Sequence, residues 1–163
     1  MLEDIKLKYD EINNEIDLEV LDNAGDVTTE PGLETAVLIS LYTDRRARDD
    51  DPVSDEETNK RGWWGDLVSP EEVEDQIGSR KWIFWERGKT TEQVMEDVKE
   101  ADYEALQWLI DDGIASEIII TIERDGIEGN DRLEELIEII KPDGESFTYN
   151  TKFDALWIGQ ENQ

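Results

Sequence analysis

"RLEELIEIIKPDG", residues 132–144, decides what kind of domain this chain makes. Leu133, Leu136, Ile137 and Ile140 repeat at helical spacing, whereas Ile137, Ile139 and Lys141 fit the two-residue period of a strand. Turn signals on both flanks decide between them. "DGIEGND" precedes the stretch and Pro142-Asp143-Gly144 closes it, the punctuation of a strand in a β-meander. The alternating, β-branched "SEIIITIER" upstream adds a strand with Ile118, Ile120 and Ile122 on one face, and Phe147 and Tyr149 mark a third, short strand downstream.

Further upstream, "TTEQVMEDVKEADYEALQWLIDDG" reads as a helix. Thr90 and Gln93 have capping-box spacing, Val94, Val98, Ala101, Ala105, Trp108 and Leu109 form the apolar stripe, and Gly113 is placed to end it. "TTEPGLETAVLISLYT" predicts a short, largely buried helix that ends near Thr43. Thr28 or Thr29 caps it, Pro31 sits in the first turn, and Leu33, Val37 and Leu41 repeat every fourth residue. A polar loop runs from Asp44 to about Pro70; Ser69 and Pro70 then start a short helix that Gly78 interrupts before Trp82, Ile83 and Trp85. At the N-terminus "DIKLKY" and "EIDLEV" alternate like paired strands joined through Asn13 and Asn14, a hairpin. The fold class is therefore α+β: an N-terminal β-hairpin and two to three helices packed on a C-terminal antiparallel sheet. Residues 1–150 form one domain and 151–163 a docking tail.

Composition narrows the chemistry. The 163 residues suffice for one domain with a real core. Acids outnumber bases 44 to 16, a net charge of −28, spread along the whole chain. Such a surface repels nucleic acid and anionic lipid, so neither is an expected partner. It also suits a salty host cytoplasm, where screening removes the self-repulsion. With no Cys and no His there is no disulfide, no thiolate and no imidazole base or ligand. No glycine loop cradles phosphate, and "DDDPVSDEE" lacks the spaced ligands of a calcium loop, so no cofactor or metal is implied. The N-terminus is not a signal peptide and no stretch approaches the roughly 20 apolar residues of a membrane span, so the chain is expected to be soluble and made in the host cytoplasm.

Three stretches carry a resemblance. "GLETAVLISLYTDRRA", "RGWWGD" followed by "IGSRKW", and "EALQWLIDDGIA" leading into a strand resemble, in order, the small baseplate wedge proteins of Mu-like contractile phages. The likeness runs from about Asp4 to Trp157. It extends more distantly to the small wedge protein of T4-like phages and the matching subunit of type VI secretion baseplates. The resemblance implies a structural protein of the virion tail baseplate, bound to the large wedge proteins around the central hub or spike and starting the tail sheath. The distant relatives carry Glu-Pro-Arg or Gly-Glu-Arg after the first helix. Asp44-Arg45-Arg46 keeps the acid beside arginine and lacks the Pro or Gly.

Candidate contact residues follow. Arg45, Arg46 and Arg48 are the one basic cluster; they either neutralise Asp49, Asp50 and Asp51 or dock on a wedge protein's carboxylates. Trp63 and Trp64, next to Asp66, point opposite ways if the loop is extended, one pinning it and one facing a partner. Trp82, Trp85 and Trp108 read as core, and Trp157 as a docking anchor in the tail. The C-terminal strands either present an edge for strand addition or discourage it through Glu123, Glu134 and Glu138 at their edges. The catalytic alternative is a carboxylate-based glycoside hydrolase of the tail. No acid is expected to stand isolated within an apolar run, which leaves that alternative without a candidate pair.

Overall fold

The computed structural model describes residues 4–10, 15–18, 29–30, 33–53, 60–67, 76–85, 91–127 and 130–154. Strands β1 (Asp4–Ile5), β2 (Leu7–Asp10), β3 (Glu15–Leu18) and β4 (Thr29–Glu30) come first, and helix α1 (Glu34–Tyr42) follows. A 3-10 turn at Trp64–Leu67 and a single helical turn α2 (Trp82–Trp85) lead to helix α3 (Glu92–Asp111). Strands β5 (Glu117–Ile127), β6 (Asn130–Ile140) and β7 (Ser146–Asp154) complete an antiparallel sheet of order β5-β6-β7. The architecture is α+β.

Residues 132–140 are strand, and the register shows why. Ile118, Ile139 and Phe147 share one row, and Ile120, Ile137 and Tyr149 the next, all facing the helices. The two-residue period buries Leu133, Ile137 and Ile139, while Leu136, needed by the helical alternative, is on the outer face and exposed. Because β6 is central, Glu134 and Glu138 are not edge residues; only Glu123, on β5, lies on an edge strand. β7 runs past residue 150 to Asp154.

Helix α3 packs its Val98–Ala101–Ala105–Leu109 stripe against β5, and α1 packs against α3 and β2. Val37, Leu38 and Leu41 thereby meet Leu106 and Leu109 over the sheet isoleucines in one core. Burying each such side chain contributes about 1.5–3 kcal/mol. Helix α3 closes with Gly113 in the left-handed region (φ +70°), where Ile114 N donates to Leu109 O at 2.9 Å and Gly113 N to Ile110 O at 3.0 Å.

Both helix starts differ from expectation. Thr29 and Glu30 pair with Ile5 and Asp4, so that backbone is strand and α1 begins at Glu34 with Leu33 before it and no side-chain cap. The cap of α3 is Thr91, whose hydroxyl accepts from Val94 N at 3.2 Å, while Gln93 donates to Asp97 instead of reaching back. Thr28, Pro31, Thr90 and the expected helix start at Ser69–Pro70 lie outside the described residues. The hairpin pairs Leu7 with Leu18 and Tyr9 with Ile16. Its first strand breaks at Lys6, where the Thr35 hydroxyl accepts from Leu7 N (3.2 Å) and donates to Ile5 O (2.7 Å).

Candidate functional site

The chain leaves α1 extended at Thr43 and meets the segment before α2 in a parallel bridge. Arg45 N donates to Ser79 O (3.0 Å) and Ser79 N to Thr43 O (2.9 Å). Gly78, at φ +108°, makes the approach possible: a Cβ there would run into the Thr43 carbonyl. Trp82 is buried, and its indole N–H donates to Arg45 O at 2.9 Å. Around this bridge Ala47, Trp82 and Ile83 form a second, smaller core.

Glu104, on α3, collects the nearby arginines. Its Oε1 accepts from Arg48 (2.6 Å) and forms an ion pair with Arg45 (3.2 Å), and its Oε2 accepts from Arg80 through Nε (3.1 Å) and the terminal nitrogen (2.7 Å). Arg80 also donates to Asp51 at 2.5 Å. Burial works against the Arg80 charge, yet the bonds to Glu104 and Asp51 outweigh it and raise its pKa. Of the aspartates expected to neutralise Arg45, Arg46 and Arg48, Asp49 and Asp51 form their ion pairs with Lys60 and Arg80 instead. Asp49 binds Lys60, which holds its carboxyl below the usual range, and the second oxygen of Asp51 accepts from Arg48 N. Arg61 binds Asp44 at 3.1 Å and stacks 4.3 Å over the Trp82 ring. Arg46 is the exposed exception, donating among the described residues to the Arg61 carbonyl at 3.4 Å.

The two neighbouring indoles do not diverge. Residues 64–67 form a 3-10 turn, not an extended loop, so the Trp63 and Trp64 rings tilt against each other with centroids 5.4 Å apart. Trp63 is half-buried over Gly65, where any Cβ would strike its ring, while Trp64 is 72% exposed. Asp66 accepts a long 3.5 Å bond from Ile77 N; its other oxygen is buried and meets no donor among the described residues. Trp108 is partly buried and donates to Ser40 Oγ at 3.1 Å, tying α3 to α1. The Trp85 side chain and Trp157 lie outside the described residues. A cleft of about 560 Å³ between α1 and α3 is lined by Ile39, Ala105 and Trp108, with Arg45, Glu104 and Asp111 among its polar walls.

Beneath this surface lies a cluster that sequence reasoning missed. Asp102 and Glu135 are fully buried, contrary to the expectation that no acid stands within an apolar run. Lys81 joins them, its ammonium 3.2 Å from Asp102 Oδ1, 3.5 Å from Glu135 Oε2 and 4.6 Å from the centre of the Tyr42 ring. The Ser79 hydroxyl donates to Asp102 Oδ1 at 2.9 Å and accepts from Lys81 N. Burial pushes the Asp102 carboxyl well above the usual range, the Glu135 charge adds to that, and Lys81 only partly offsets it. Burial also opposes the Lys81 charge, but the two carboxyls outweigh it and raise the lysine's pKa. The signals were present: Asp102 lies four residues from both Val98 and Leu106 in the helix stripe, and Glu135 lies two from both Leu133 and Ile137 in the strand.

Among the described residues no helix is long and apolar enough to cross a membrane, and no group of three or more His, Cys, Asp or Glu could hold a metal ion. Fold and surface define a small acidic α+β domain with a salt-bridged interior and, among the described residues, one bare indole on a built loop. Residues 33–146 match the family described as Phage protein GP46, and the chain belongs to that family. It is 40% identical to "Baseplate protein gp46" of Escherichia phage Mu over 99 residues, 61% of this chain and 65% of that protein, so the match spans less than two thirds of the Mu protein's length. It is 32% identical to "Mu-like prophage FluMu protein gp46" of Haemophilus influenzae over 128 residues, 77% of this chain and 78% of that one. No solved structure matches.

Proposed function

We propose that the chain is a structural baseplate component of a contractile phage-like tail, joining the large wedge proteins to the first sheath ring and acting without catalysis. Membership of a family with a relative named as a baseplate protein carries this reading. The surface agrees with it. Trp64 leaves most of an indole in water on a loop fixed by hydrogen bonds, the arrangement of an interface anchor. Arg46 is exposed, its side chain lies against Gly62, two residues before Trp64, and among the described residues its guanidinium makes one long hydrogen bond, so it has donors to offer a partner. Arg45 and Arg48 already bind Glu104, which gives them first a part in holding the loop.

A non-catalytic role also fits the two carboxyls in apolar surroundings. Asp102 and Glu135 are sealed from solvent and bound to Lys81, out of reach of a polysaccharide. The test is assembly of tails with Trp64→Ala and Arg46→Ala in this chain. Folding should survive while incorporation into baseplates and the start of sheath growth fail. Normal, sheathed tails carrying the double variant would remove the contact assignment, and lysis of peptidoglycan by the purified chain would remove the non-catalytic reading.

A further inference from the structure

The buried cluster does not balance as drawn from ordinary ionisation. Lys81 brings one positive charge and Asp102 with Glu135 bring two negative ones, in a site where neither carboxyl touches water. The ammonium serves both oxygens of Asp102 and Glu135 Oε2, which leaves Glu135 Oε1 buried with no hydrogen-bond partner among the described residues. A bare anionic oxygen in an apolar interior is costly unless a donor reaches it, and a proton carried by the neighbouring Asp102 carboxyl supplies one. Asp102 and Glu135 lie 3.2 and 3.5 Å from the same ammonium, which brings the two carboxyls together around one charge.

We propose that Asp102 keeps a proton that it shares with Glu135 as a hydrogen-bond donor, and that this proton is a latch seating the 79–82 segment against α3 and the sheet. With it the cluster is neutral. Without it one uncompensated negative charge is left inside, repelled by the carboxyls and satisfied only by opening the site to water. The segment that would lift carries Ser79, Lys81 and Trp82, and these hold Arg45 from both its N–H and its carbonyl. Loss of the proton therefore loosens the floor under the loop that bears Arg46, independently of what that loop binds.

Among the described residues no other charge facing the site offers to replace the proton. From α1 comes the Tyr42 ring and from the 79–81 segment the Ser79 hydroxyl; the neighbours of Asp102 on the buried face of α3 are Val98, Ala101, Ala105 and Leu106. On the sheet, Ile122 pairs with Glu135, Tyr149 is one row away, and Arg124, a row in the other direction, is exposed. Arg80 is engaged with Glu104 and Asp51.

The sign follows from linkage. The folded chain keeps a proton that the unfolded chain releases at ordinary carboxylate pH, so the stability tied to it is full in acid and is lost as pH rises towards the raised folded value. One proton corresponds to a tenfold fall in the folding constant per pH unit. Urea unfolding of the isolated chain between pH 5 and 8 should show this slope in excess of that of Glu135→Gln, which keeps the side chain's shape and makes the cluster neutral without a proton. Infrared spectra of the folded wild type at pH 7 should show a protonated-carboxyl band that vanishes on unfolding, and this decides the matter if the variant does not fold. Exchange of the Ser79 and Arg45 amides, corrected for base catalysis, should quicken at the pH where the band disappears. Equal slopes in wild type and variant, or no band, overturn the shared proton; a band that disappears with unchanged amide protection overturns the latch.

Discussion

Arg80 donates twice to one oxygen of Glu104, through Nε and a terminal nitrogen, and that carboxylate also holds Arg45 and Arg48. Three hydrogen bonds and the Arg45 ion pair converge on a residue whose side chain is about a quarter exposed. Its removal strands three guanidiniums near one another, and among the described residues only Arg80 keeps a second carboxylate, Asp51. Glu104→Ala should therefore destabilise the fold by ~2–3 kcal/mol in urea unfolding, below the ~3–5 kcal/mol of a fully buried pair because water reaches part of the site. Arg46→Ala, which removes one long hydrogen bond among the described residues, should stay within ~0.5 kcal/mol of wild type. Equal effects from the two would mean that Glu104 is not the hub.

Trp64 and Gly65 are adjacent and should respond in opposite ways. The Trp64 ring is mostly in water, so Trp64→Ala should change stability by no more than ~0.5 kcal/mol while impairing assembly. Gly65 lies under the Trp63 ring, and a single methyl there meets the ring directly. Gly65→Ala should cost ~1–3 kcal/mol as Trp63 is displaced, a shift visible in tryptophan fluorescence. A stable Gly65→Ala with unchanged fluorescence would argue that Trp63 does not rest on the backbone at all.

Legibility followed the range of the interactions. The period of two in residues 132–140, the stripe of α3 and the stop at Gly113 are local signals, and the structure has each of them. Helix starts were less readable, because Thr29 is claimed by Ile5 some twenty residues earlier and Thr91 competes with Thr90 for one cap. The arginine pairings were read from neighbours in sequence, and the true acceptor, Glu104, arrives from another element. The buried triad needs residues 81, 102 and 135 at once. Each acid showed as a break in an apolar pattern, but in a chain with 44 acids such a break does not stand out until the elements are packed.

The net charge of −28 predicts how the chain responds to salt. Self-repulsion among exposed carboxylates is long-range and screened, with a Debye length falling from about 10 Å at 0.1 M to about 3 Å at 1 M. The pairs around Glu104 and inside the 81–102–135 cluster are close and partly or fully buried, so they weaken little over the same range. The balance favours the folded state, and Tm should climb between low salt and 1 M sodium chloride. A flat or falling Tm in a calorimetric scan would show that surface ion pairs, such as Lys60 with Asp49, matter more than the overall repulsion.

Ile137 and Leu136 separate the two faces of β6. Ile137 is fully buried between Ile120 and Tyr149, at the centre of the core shared by α1, α3 and the sheet. Truncation to alanine leaves a cavity walled by regular elements that cannot collapse into it, and should cost ~3–4 kcal/mol. Leu136 is 39% exposed between Thr121 and Asn150 on the outer face, so the same change should cost under ~1 kcal/mol. Had these residues formed a helix, both positions would lie on its apolar stripe and lose comparable amounts. The ratio of the two losses in chemical unfolding is thus a direct test of the strand register, and comparable losses would reject it.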